Sequence, residues 1–132
     1  MKLKKETVAE VVAEASRRMS DPNYSAVLVG AFVENQPPAT QFISAHEEEL
    51  GGAEAIIAVI FHAALIAAAF ERGAGRTFGP LSYEDLDAVA DGDPLAVLTT
   101  AQPAVHEFIT SNIEFAASQR LLALLALALA GQ

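Results

Sequence analysis

The chain has 132 residues, 52% of them apolar and none cysteine, with a formal charge of −9; this is one domain's length, with ample material for a core. Without cysteine there are no disulfides and no zinc–thiolate sites, which fits a reducing cytoplasm, the location we expect. The charge is segregated. Residues 1–20 carry five basic side chains against three glutamates (+2), leaving residues 21–132 with three basic against fourteen acidic (−11), a body that disfavours nucleic acid and anionic lipid as partners.

The N-terminal lysines are followed by Glu6, Glu10 and Glu14 instead of an apolar stretch, so no secretory signal is expected. Val8, Val11, Val12, Ala15 and Met19 recur at helical spacing and predict an amphipathic helix over 3–20. Within it, Thr7 and Glu10 suit a capping box, and Glu14–Arg18 suits an i,i+4 ion pair. Asp21-Pro22 reads as an N-cap with proline at N1, opening a second helix to about Asn35, although its valines also suit a strand. Pro37-Pro38 opens a third helix to about Leu50. Gly51-Gly52 breaks or kinks it before a fourth, over 53–71.

That fourth helix holds the longest apolar run, Ala55–Phe70, sixteen residues of which seven are alanine, interrupted only by His62. A membrane span needs ~20 apolar residues, and Glu54 and Glu71 flank the run; a buried core helix is expected and no membrane partner. A glycine-rich loop follows at 72–81. Ser82 with Asp85 at N3 caps a short helix ended by Gly92, and Asp93-Pro94 opens another. Pro103 starts the last element, expected to run unbroken over Ala104–Ala130, about 40 Å.

A shift of 66 residues places Gln36-Pro37 on Gln102-Pro103, Phe42-Ile43-Ser44 on Phe108-Ile109-Thr110, His46 on Asn112 and Glu48 on Glu114. Thirteen aligned positions hold five identities without a gap, and the apolar helix recurs after them. The fold expected is therefore all-α: a single domain over 1–132, a compact bundle of six to seven helices. Halves 1–66 and 67–132 read as diverged copies, arranged with pseudo-twofold symmetry around two apolar central helices. Since Ala117-Ser118 replaces Gly51-Gly52, the second copy is expected to run straight where the first kinks.

Chemistry-bearing residues are few. His62 lies mid-helix among apolar neighbours, with no polar group on its own helix to pair with, so it must find a partner elsewhere or contact a ligand. His46 and Asn112 hold equivalent places and are expected near the pseudo-twofold axis, hydrogen-bonded across it; with His62 they are the candidate ligand-binding residues. Di-iron bundles use Glu-x-x-His, and this chain has none. A metal site from His46, Glu49, His106, Glu107 and Glu114 is conceivable, but none is the expectation, and no cofactor is predicted. Glu47-Glu48-Glu49 reads as a solvated face near a helix C-terminus, opposing the helix dipole, or as serving the start of the following helix, or as a contact for the basic N-terminal segment of a neighbouring subunit. Gly73–Thr77 lacks the spacing and lysine of a phosphate loop, leaving Arg72 and Arg76 as a faint anion site. Asp87, Asp91 and Asp93 fail the calcium-loop pattern, because Val89 and Leu98 fall where oxygen ligands are required.

No nucleophile motif is present. The function expected is a homo-oligomeric protein–protein interaction module, most simply a dimer, without catalysis. One alternative is a small-ligand or cofactor pocket near His62. The other is an enzyme built on His46, Glu48, His106 and Glu114.

Overall fold

The computed structural model describes residues 2–132. Among them are nine helices and no strand: α1 Lys5–Arg18, α2 Tyr24–Asn35, α3 Pro37–Ser44, α4 Glu47–Leu50, α5 Ala53–Ala74, α6 Tyr83–Ala88, α7 Pro94–Ala101, α8 Pro103–Asn112 and α9 Ala116–Ala130. The all-α class holds. The count exceeds six to seven because two long elements are broken.

The last element is the larger correction. It stops at Asn112, passes through extended Ile113 (φ −122°, ψ 121°) and restarts at Ala116. Ile113 is buried, and its carbonyl accepts from Gln119 Nε2 at 2.6 Å, so the broken backbone is partly re-satisfied. The reason for the break is size. A chain of 132 residues has a radius of gyration of about 14 Å, and a straight ~40 Å rod would carry one of its apolar ends out of the core. In the first half the break comes earlier than expected: α3 ends at Ser44, and α4 is a separate turn closed by Gly51 at φ +99° and Gly52 at φ +127°.

Helix starts also shift. α1 begins at Lys5 with no side-chain cap, so Thr7 and Glu10 form no capping box. Asp21 Oδ1 accepts from Asn23 N at 2.9 Å, making a local turn before α2 starts at Tyr24, and Pro22 stays outside the helix. The reciprocal capping box of Ser82 and Asp85 is present, and Asp93 caps α7 through Ala96 N. The Glu14–Arg18 pair forms at 3.0 Å.

α9 is the centre of the molecule. Every residue from Leu121 to Ala126 is buried, a run longer than one turn, so apolar neighbours surround it on all sides. Each leucine there stabilises the fold by roughly 1.5–3 kcal/mol. α5 crosses α9. Around this pair, α1, α2 and α3 touch α5, α6, α7 and α8 touch α9, and α4 touches both. Two contacts run crosswise: α1 on α8, and α3 on α6. Unlike α9, α5 is only partly enclosed. It is long and apolar enough to cross a membrane by length and composition, and 44% of its most apolar window is buried in this fold. Its first turns, Ala53, Glu54, Ile57 and Ala58, lie exposed.

Candidate functional site

The residues singled out from the sequence are dispersed. His62 is half-buried on α5, and its Nδ1 bonds the Ala58 carbonyl at 2.7 Å, so the expectation that its own helix offers no partner is corrected: the backbone one turn back supplies it. The ring lies beside Phe61 and 6.0 Å from that of Phe108. His46 and Asn112 do not bond each other. Each turns back on its own helix: His46 Nδ1 to the Phe42 carbonyl and Asn112 Nδ2 to the Phe108 carbonyl, both at 2.7 Å. The aligned positions thus perform the same local task, a polar side chain returning to the carbonyl four residues earlier.

The carboxylates face water. Glu48, Glu49, Glu107 and Glu114 are exposed, and His106 is half-buried on α8. Among the described residues no three His, Asp or Glu side chains converge on a point where a cation could sit. Glu107 meets Lys5 at 3.9 Å. Glu47–Glu49 form the first turn of α4, not the end of α3, so they complement the local dipole instead of opposing it. Both arginines of the loop are engaged. Arg72 pairs with Glu10 at 3.7 Å and donates to Glu14, tying α5 to α1. Arg76 lies over the Phe78 ring, 4.4 Å from its centroid, and donates to the Gln132 carbonyl.

The sequence search passed over two glutamines. Gln36 and Gln102 are 5% and 3% exposed, unusual for a neutral polar side chain unless it is hydrogen-bonded. Both hold the same backbone geometry (φ −131°, ψ 62° and φ −142°, ψ 71°) between the end of one helix and the proline that opens the next. Gln36 Oε1 accepts from Leu81 N at 2.7 Å, and its Nε2 donates to the Gly79 carbonyl at 3.1 Å. Gln102 Oε1 accepts from Leu3 N at 2.9 Å. Each glutamine therefore grips the extended segment ahead of a helix in the other half: Leu81 before α6, Leu3 before α1. The recurring Gln-Pro was visible in the sequence as a helix break. Its side-chain role depends on a partner 45 or 99 residues away in the chain.

Two grooves flank α2 where it lies along α5. One, of about 620 Å³, is open and mostly apolar, lined by Met19, Ala26, Val29, Ile57, Phe61 and His62 among others. The other, of about 450 Å³, lies toward the C-terminal ends of both helices and is walled by Thr77, Phe78 and Pro80. Among the described residues no buried side-chain nitrogen or oxygen lacks a hydrogen-bond partner. No family model matches the chain, and no curated protein or solved structure matches it either.

Proposed function

We propose that the chain is a homo-oligomeric interaction module without catalysis, a dimer in its simplest form, that docks a second copy through the open α2–α5 groove around Ile57. The observation that carries this is the asymmetry between the two central helices. Ile57 is 56% exposed, whereas Ala123, its counterpart at the 66-residue shift, is fully buried. Met19, 52% exposed, extends the same apolar surface. A helix as apolar as α5 gains from covering that face, and a closed twofold dimer is the commonest way a single chain does so. Nucleic acid and membrane are not the partners in this reading, because the body is acidic; the cysteine-free composition suits the cytoplasm.

The proposal includes descent of the two halves from one unit with a pseudo-twofold arrangement. The reciprocal glutamine grips support it. So does the pattern of touching helices: α1 on α8 answers α6 on α3, and α2 on α5 answers α7 on α9. α4 has no helical counterpart, since extended residues 113–115 take its place.

Light scattering over a concentration series is the test. The wild type is expected as a dimer, and Ile57→Glu, at an exposed position, as a monomer of unchanged helicity. A wild type that stays monomeric to millimolar concentration sinks the reading. A second reading keeps the same groove for a small ligand. It is favoured by His62 at the rim, whose second ring nitrogen is left by the Ala58 bond to act as a polar contact.

A further inference from the structure

The groove at the other end of the α2–α5 seam differs in kind, and we propose that it is a binding site for a small organic cation with an apolar body. Four observations converge on that chemistry. The first is shape. Ala31, Ala64, Ala67 and Ala68 leave room between the helices, and the resulting space of about 450 Å³ falls in the range of small-molecule sites.

The second is the wall. Residues 77–81 are pinned across the groove by three hydrogen bonds: Phe78 N to Glu71 Oε2 at 2.7 Å, Leu81 N to Gln36 Oε1, and Gln36 Nε2 to the Gly79 carbonyl. Two lining side chains thus hold the wall in place, so the site is pre-formed, and ordering it costs a ligand little.

Charge is the third. Glu71 is the one charged residue in the lining. It is half-buried, and among the described residues no cation lies within 4 Å of its carboxylate. One of its oxygens takes the Phe78 N–H, and the other is left for a ligand. Neither nearby arginine pairs with it: Arg72 is committed to α1, and Arg76 lies over the Phe78 ring of the wall and donates to the Gln132 carbonyl.

The fourth is direction. α2 and α5 run parallel: Ser25 and Ala26 share the open groove with Glu54 and Ile57, while Phe32 and Asn35 share this one with Ala68 and Glu71. Both helices therefore end toward this groove; α3 starts at Pro37 directly after α2, so the partial negative charge that favours a cation is that of the α5 C-terminus. Phe32 offers its ring to the apolar body.

2-Phenylethylammonium is the probe, with 3-phenylpropanoate, which carries a carboxylate on the same phenylethyl body, as the anionic control, both titrated into the full chain and followed through the methyl NMR signals of Ala67 and Ala68 and the Phe78 amide. The cation is expected to saturate with a Kd of about 1 mM or tighter, a scale open to a ligand of about nine heavy atoms; the anion is expected not to bind. Ala68→Phe, which fills the groove, should abolish the shifts. Glu71→Gln keeps a carbonyl for Phe78 N and removes the charge, so it should weaken the cation about tenfold while leaving the fold intact, and it serves alone if Ala68→Phe fails to fold. The proposal is overturned by no saturation at tens of millimolar cation, by equal binding of the anion, or by undiminished binding to Glu71→Gln. None of these outcomes depends on the oligomeric state, which belongs to the other groove.

Discussion

At the scale of single residues, the most consequential side chains are the two buried glutamines. Each is buried, and its amide bonds backbone far away in the chain: Gln36 the Leu81 N–H and the Gly79 carbonyl, Gln102 the Leu3 N–H. Gln36→Leu keeps approximate volume but strands the buried Leu81 N–H, a loss of about 1–3 kcal/mol, which urea denaturation will read as a lower midpoint at unchanged slope. Gln102→Leu should act the same way through Leu3. A pH effect is expected at Glu14. The hydrogen bond from Arg72, then the charges of Arg18 and Arg72, hold its carboxyl below the usual 4.5. Because the folded value is depressed, its stabilising effect is present above the ordinary carboxylate range and is lost as pH falls through the folded value. A third of its side chain is open to water, at 33% exposure, so the effect is small and screened by salt. Glu14→Gln should flatten the acid limb of the stability profile slightly, and added salt should erase the difference.

Between elements, short connections decide where helices stop. Gly52 sits at φ 127°, ψ −175°, a region that essentially only glycine enters. A Cβ there would meet nothing within 4 Å, so Gly52→Ala should cost about 1–3 kcal/mol through backbone strain alone, seen as a lowered melting temperature without a cavity or a clash. α6, six residues long, leans on its caps. Ser82→Ala should cost roughly 1 kcal/mol and speed amide exchange in residues 83–88 ahead of the rest of the bundle. The caps at Ser82 and Asp93 were legible because the side chain and its target lie three residues apart. The break at 113–115 was not: Ala117-Ser118 carries no glycine or proline, and the stop is imposed by the need to turn α9 back into the core.

In the whole molecule, burial is unequal between two helices that look alike in sequence. Leu124 on α9 is buried, and Leu124→Ala should cost about 2–5 kcal/mol, a large share of the roughly 5–15 kcal/mol that keeps a domain folded. Ile57→Ala on α5 should leave the monomer's stability nearly unchanged and weaken self-association, which chemical denaturation and light scattering together will separate. The chain by itself determined the helical class, most helix positions, the two apolar central helices and the repeated Gln-Pro, because these depend on 3.6-residue periodicity, caps and prolines acting over a few residues. It also supplied His46, His62 and Asn112 as polar groups beside apolar faces. That the three turn back to their own helices was decided by the tertiary structure, as were the exposure of α5, the enclosure of α9, the crosswise glutamine grips and the Glu71 groove. Those features join residues dozens of positions apart, and which half covers which is fixed by how the helices pack, information that no local spacing carries.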